Sequence, residues 1–226
     1  MPTAAPIPSR AFPMLLLILL ALITACRAAP PRESGPFRAR DLVEANRIDP
    51  AIRLDIRYAT ERNFTGHALY PEPRAYLQRP AALALARVNQ ALLAQGYGLL
   101  IYDAYRPWSV TQALWNAASE EQRRIGFVAN PKTGSKHNRG CAVDVGLYET
   151  KTGREVAMPS GYDEFSERAH PDYSGGPSSA RQNRDLLRQA MEQEGYSVDP
   201  NEWWHFNHKD WREYPLLDIP FQALAR

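Results

Sequence analysis

Two short stretches of this 226-residue chain hold the residue types best suited to chemistry. Ser135-Lys136-His137-Asn138-Arg139-Gly140-Cys141-Ala142-Val143-Asp144 places a histidine and a carboxylate seven residues apart, across a glycine. Glu202-Trp203-Trp204-His205, near the C-terminus, places a second carboxylate three residues before a second histidine. Catalytic zinc takes three protein ligands and keeps a fourth position for water. His137, Asp144 and His205 supply three such ligands, and Glu202 is left over as a general base. Either stretch alone has a plainer reading, because a single His or Asp is more often a surface or hydrogen-bonded residue than a ligand. The two together, with Arg106 upstream, favour the metal.

The elements that must position these residues follow from local pattern. Ala142 to Tyr148 alternates, with Val143, Val145 and Leu147 on one face and Ala142, Asp144 and Gly146 on the other. Asp144 therefore projects from a strand, away from its apolar face. His137 precedes that strand in a loop, which Gly140 allows to turn back. Cys141 shares the face of Val143 and Val145 and reads as a small buried side chain. Tyr97 to Tyr102 is a short apolar strand, and Pro107 suits the first turn of a helix running through Val110, Ala113 and Leu114. Arg106 thus sits at a strand-to-helix junction. It is either a salt-bridge residue or, beside a metal hydrolase site, a fixed cation for an oxyanion. For Asn201 to Phe206 two geometries stay open. In a strand His205 shares a face with Trp203; in a helical turn it lies with Glu202. The aromatic density argues for burial, where an unpartnered carboxylate costs several kcal/mol.

The rest of the chain reads as scaffold. Ala51 to Tyr58 alternates as a half-buried strand, and Asn63-Phe64-Thr65-Gly66 marks a loop. Pro80 to Gln95 is a helix with Ala81, Leu85, Val88 and Leu92 on one face and Gly96 as its stop. Glu120 to Thr133 reads as a connecting loop, and Lys151 to Arg154 as a hairpin turn. Met158 to Gly176 is loop-like and contains Asp163. Ser178 and Ser179 suit the N-cap of a helix from Ala180 to Glu194, buried through Leu186, Leu187, Ala190 and Met191. His67, His170 and His208 lack a comparable context and are expected to be structural or exposed. There is no internal repeat and no low-complexity block.

Residues 1–25 carry Arg10 as their sole charge, then an apolar run from Phe12 to Ile23 that is short for a membrane span. A basic residue, a short apolar core and small residues before a cleavage point read as a secretory signal. Ile23-Thr24-Ala25-Cys26 resembles the lipobox of bacterial lipoproteins, with Ile in place of the usual Leu. An ordinary signal cleaved near Ala25 or Ala29 is the plainer reading. Cys26 and Cys141 are the chain's two cysteines, so acylation of Cys26 leaves Cys141 unpaired. Residues 26–40, rich in Pro, Arg and Ala, read as a tether, and residues 41–226 as a single domain. A net charge of +2, of which Arg10 is part, gives no reason to expect a nucleic-acid partner.

From residue 52 to residue 206 the chain resembles the D-alanyl-D-alanine dipeptidases of the vancomycin-resistance type, in the zinc D,D-peptidase superfamily. The likeness is carried by Arg57-Tyr58-Ala59-Thr60 with Asn63-Phe64-Thr65-Gly66, by Gly96-Tyr97-Gly98-Leu99-Leu100 and by Tyr105-Arg106-Pro107. It continues through Ser135-x-His137-x-Arg139-Gly140-x-Ala142-x-Asp144, Glu167-Arg168-x-His170 and Glu202-Trp203-Trp204-His205. The resemblance implies an α+β fold of the hedgehog-like type, a small antiparallel sheet flanked by helices. It implies one zinc on His137, Asp144 and His205, a metal-activated water with Glu202 as general base, and Arg106 near the scissile carbonyl. Asp163 is similar to the family's acid for the substrate ammonium, and Ser135 is a further substrate-side residue. The resistance enzymes act in the cytoplasm, so an exported, lipid-anchored chain is expected to act in the cell envelope, on its periplasmic side. No protein partner is expected.

Two rival functions share these residues. An envelope D,D- or L,D-carboxypeptidase would keep zinc and base but would be obstructed by an ammonium receptor at Asp163. A wall-binding module that retains zinc without catalysis would not need Glu202.

Overall fold

The computed structural model describes residues 28–224. The expected leader and Cys26 lie outside the described residues. The chain forms β1 (Leu42–Glu44), α1 (Ala45–Ile48), β2 (Arg53–Leu54), β3 (Tyr76–Gln78), α2 (Arg79–Leu93) and β4 (Tyr97–Asp103). It continues as α3 (Trp108–Ala117), α4 (Glu120–Arg124), β5 (Ala142–Glu149), α5 (Ser178–Gln193), β6 (Tyr196–Val198) and β7 (His205–His208). Among the described residues no helix is long and apolar enough to cross a membrane.

One five-stranded sheet, ordered β2-β4-β5-β7-β6, organises this α+β fold. Its strands pair antiparallel except β2 with β4, so the sheet is mixed rather than wholly antiparallel. A separate ladder joins β1 to β3. Val143, Val145 and Leu147 on β5 are fully buried and share one core with Leu85, Val88 and Leu92 of α2 and Leu187 and Met191 of α5. Full burial of a Leu or Val side chain contributes about 1.5–3 kcal/mol, so this cluster fixes which face of β5 looks inward. The other face carries Asp144 and Gly146. A Cβ on Gly146 would sit 2.1 Å from the Tyr102 hydroxyl, so that position must stay bare for the tyrosine to lie across the strand.

Buried polar groups tie the scaffold to itself. Asn89 on α2 accepts from the Leu99 amide at 2.9 Å and donates to Asp49 at 2.8 Å, locking the helix to β4 and to the end of α1. Gly96 ends the α2 region at φ 87°, a conformation that disfavours any side chain.

Local expectations fail in four places. The strand expected over residues 51–58 shrinks to Arg53–Leu54, because Asp55 turns to pair with Arg57 and Arg57–Ala59 closes a 3-10 turn. The expected loop at 120–133 opens with α4. This helix is five residues long and buries none of them, so no periodicity betrays it; a Ser119–Gln122 capping box starts it. Helix α5 begins at Ser178 itself, after Pro177, and neither serine caps it by side chain. The segment read as a tether is partly docked, with the Arg38 amide donating to the Glu213 carbonyl at 2.8 Å.

Candidate active site

Register places the first two metal-type residues side by side. Asp144 of β5 is directly opposite His205 of β7. The turn before β7 also resolves the ambiguity around Glu202: the His205 amide donates to the Glu202 carbonyl at 3.2 Å, and the strand begins only at His205. Glu202 thus reaches the same site, with Oε2 3.8 Å from His205 Nδ1. His137 comes from the 3-10 turn Lys136–Arg139, started by Ser135 Oγ, which accepts from the His137 amide at 3.2 Å. Gly140, at φ 69°, closes that turn, and a Cβ there would meet Leu42 at 2.4 Å.

Each imidazole is fixed from behind. His137 Nδ1 donates to the Ala104 carbonyl at 2.7 Å, and His205 Nε2 donates to Asn207 Oδ1 at 2.9 Å. These bonds set the tautomers, leaving His137 Nε2 and His205 Nδ1 as lone-pair nitrogens. The two nitrogens face one another at 3.0 Å, and Asp144 Oδ1 lies 3.3 Å from the first and 3.1 Å from the second. Asp144 Oδ1 is buried without a hydrogen-bond donor, while Oδ2 accepts from the Tyr162 hydroxyl at 3.0 Å. Three such acceptors converging on one buried point need a cation between them. Ligands about 2.0–2.2 Å from a tetrahedral zinc lie roughly 3.3 Å apart, so the spacing of His137, Asp144 and His205 fits that ion. These three are the one such metal-type group among the described residues.

The electrostatics agree. Burial opposes ionisation of Asp144, but the charges and hydrogen bonds of His137 and His205 hold it below the usual carboxylate range. Burial pushes His205 down, but Asp144 outweighs it and raises the imidazole to about 9. The cluster demands positive charge. Glu202 has 18% of its side chain exposed but is walled in by protein, and burial, together with nearby Asp144, lifts it to about 8 despite His205.

Arg106 enters from the junction after β4. Its Nε and Nη2 donate to Asp103 Oδ2 at 2.9 and 2.7 Å, and Asp103 is fully buried. Asp103 Oδ1 in turn accepts from the Tyr70 hydroxyl at 2.7 Å. Burial works against the Arg106 charge, and Asp103 more than restores it. Nη1 makes no hydrogen bond among the described residues, so one edge of the guanidinium remains for a ligand. The Tyr58 ring packs 5.2 Å from its centre.

A cavity of about 250 Å³ joins these groups, lined by Arg106, Ser135, His137, Asp144, Asp163, Glu202 and His205, with Phe64, Phe127, Phe165, Trp204 and Trp211 among its apolar walls. Every residue expected at the site therefore lines one space. Asp163 sits at φ 58°, the one non-glycine with positive φ among the described residues. Its Oδ1 accepts from the Tyr58 hydroxyl at 3.3 Å, while its Oδ2 is sealed from solvent without a partner. Burial, then the Asp144 charge, push this carboxyl up to about 7, and Arg106 only partly offsets them. A buried carboxylate oxygen without a partner, on a non-glycine residue with positive φ, marks a function rather than a packing role. Of the other histidines, His208 is buried beside Tyr196, and Cys141 is buried with its thiol pushed up to about 12.

Sequence reasoning missed the residues that orient these groups. Asp103 stands three before Arg106, a spacing that offers a local ion pair, and Asn207 lies two after His205, on the same strand face. Those signals were present. Tyr58 comes from the 3-10 turn Arg57–Ala59 and Tyr162 from the loop after β5, and no local spacing ties either to the residue it orients.

Among known proteins, the D-alanyl-D-alanine dipeptidase of Escherichia coli K12 is 36% identical over 183 residues, covering 81% of this chain and 92% of that one. That of Enterococcus faecalis V583 is 33% identical over 189 residues, covering 75% and 88%. Among solved structures, the LD-carboxypeptidase LdcB is similar over 79% of this chain and 74% of its own, at 18% identity and a TM-score of 0.44. Residues 38–222 match the family described as D-ala-D-ala dipeptidase, a span that includes all seven site residues; the chain belongs to that family of metallopeptidases.

Proposed function

We propose that this enzyme hydrolyses D-alanyl-D-alanine or a closely related D,D-dipeptide, with one zinc ion per chain held by His137, Asp144 and His205. When bound, zinc polarises the scissile carbonyl and lowers the pKa of a water toward about 7. Glu202 takes the proton of the attacking water on its carboxylate and passes it to the nitrogen of the leaving amine. Arg106 donates through Nη1 to the carbonyl oxygen as negative charge builds there, and Asp103 keeps the guanidinium from turning away. The Asp163 carboxylate receives the substrate ammonium, and the Tyr58 hydroxyl steadies it by donating to Oδ1. Ser135 spends an Oγ lone pair on the His137 amide and keeps its O–H to donate to substrate.

The Asp163 carboxylate, with one oxygen held by Tyr58 and the other buried without a partner, is the observation that favours a dipeptidase. A free ammonium satisfies it, whereas the acylated nitrogen of a peptidoglycan stem leaves it buried and unpaired, at a cost of about 1–3 kcal/mol or more. A cavity of about 250 Å³ suits a small substrate for the same reason. Assay of the zinc-loaded protein with D-Ala-D-Ala, L-Ala-L-Ala and a muramyl pentapeptide tests this reading. D-Ala-D-Ala should be the preferred substrate. Faster release of D-Ala from the pentapeptide would point to the carboxypeptidase, and zinc binding without any hydrolysis to a wall-binding module.

The Ile23-Thr24-Ala25-Cys26 boundary supports export and a lipid on Cys26, with action on dipeptides in the cell envelope. Labelling by a fatty-acid probe should depend on Cys26 and vanish in Cys26→Ser. An unlabelled parent would remove the anchor from the account.

A further inference from the structure

Most of residues 28–40 precede the segment that matches the family, yet they grip the loop carrying His137 from outside. Glu33 Oε1 pairs with Arg139 Nη2, and Glu33 Oε2 accepts from the Leu216 amide at 2.7 Å. Arg139 is buried, 8% exposed, and its Nη1 donates to the Tyr214 carbonyl. Glu33 is the one carboxylate in contact with this buried cation among the described residues. Further along, Arg38 pairs with Glu213 and lies 3.6 Å from Asp210, on the same C-terminal loop. The Asp41 amide then donates to Gln78 Oε1 at 2.8 Å, and Gln78 Nε2 donates to the Arg139 carbonyl at 2.9 Å. The N-terminal segment therefore holds Arg139 by its side chain through Glu33, while Gln78 of β3, itself met by the Asp41 amide just after the segment, holds its backbone.

Arg139 is the last residue of the 3-10 turn that presents His137. It also lines the active-site cavity beside Trp211, whose ring lies 5.6 Å from the guanidinium. A tether needs no such contacts. We propose that residues 28–40 form a strap, and that Glu33 is a positioning residue which, through Arg139, fixes the turn carrying His137 and the Trp211 wall of the cavity. This rests on His137 being a zinc ligand and adds a residue outside the matched segment to the machinery of the site. Cys26 precedes Glu33 by seven residues, a reach of at most about 25 Å. Cutting or pulling the strap would thus be felt directly at the metal loop.

The test compares Glu33→Gln and Glu33→Ala with the parent, each as the full zinc-loaded chain. Glutamine can still accept from the Leu216 amide but no longer neutralises Arg139. The rate of zinc release to excess chelator, measured well below the melting temperature, should rise on the order of fivefold in Glu33→Gln, as expected for loss of a charge-assisted pair. Glu33→Ala should release zinc faster still. In an Arg139→Gln background, Glu33→Gln should add nothing, because the pair it breaks is already gone. Parental release rates in both Glu33 variants would overturn the proposal; so would an undiminished effect in the Arg139→Gln background. Should Arg139→Gln fail to fold, the two single variants decide. Zinc release needs no substrate, so this result is separate from whether D,D-dipeptides are cleaved.

Discussion

On the metal side of the cavity, Asp144 and His205 sit opposite each other on paired strands, and each ligand has a second partner that aims it. The rest of the wall is built differently. Asp163 and Phe165 come from one irregular loop, and Phe64 and Phe127 from two others, joined by ring contacts of 5.3 and 4.4 Å. Groups held by a strand ladder keep their positions when one neighbour is lost. Groups held by loop contacts and one strained residue do not, and the strain is carried there at a cost to stability. Changes on the first side should therefore read out as lost metal or lost turnover, and changes on the second as altered substrate affinity and altered stability.

The largest effect is expected from His137→Ala or His205→Ala. Elemental analysis should find the zinc gone and turnover at the level of the metal-free protein; a full equivalent of zinc in either variant would break the ligand assignment. Next comes Arg106→Gln, which should lower kcat about 10²–10³-fold, the range for loss of one oxyanion donor. A change confined to KM would move Arg106 to the binding side of the comparison. Tyr162→Phe removes the donor to Asp144 Oδ2 and should weaken zinc affinity by roughly 10–100-fold, read by competition with a chelator, with the fold intact.

The smallest effect on turnover, and the one that sharpens the contrast, is expected at Asp163. Asp163→Asn should raise KM for D-Ala-D-Ala about tenfold, the lower end for a hydrogen bond to a charged group, with kcat little changed. Stability should move the other way. A carboxyl raised from an ordinary 3.8 to about 7 stabilises the fold only while protonated. That contribution is full below about pH 4 and is lost as the pH rises through 7. The Asp163→Asn protein does not titrate there. In the metal-free state its melting temperature should gain on the parent's between pH 4 and 7, by no more than roughly 4 kcal/mol of stability. A gap independent of pH would show that the fold does not raise the Asp163 pKa.

The same contrast explains what could be read from the sequence. Asp144 and the faces of β5 follow from strict alternation, and His137, Glu202 and His205 from local spacing, so the metal side was legible residue by residue. The helices α2 and α5 announced themselves by apolar periodicity. What remained hidden depends on contacts far apart in the chain. Tyr58 meets Asp163 across 105 residues and Glu33 meets Arg139 across 106, and neither pair leaves a periodic trace. The turn-then-strand geometry of residues 202–205 could not be chosen locally either. It is set by pairing with β5, since the Trp204 carbonyl accepts from the Val145 amide at 2.9 Å.

The central claim is that Glu202 moves the proton and does not hold the metal. Glu202→Gln keeps the size of the side chain and removes the acceptor, so the most direct measurement is zinc content and D-Ala-D-Ala turnover on the same preparation. The account predicts one equivalent of zinc and a fall of about 10²–10⁴-fold, mostly in kcat. Near-parental turnover with zinc in place would contradict it, and loss of the zinc would make Glu202 part of the metal site instead.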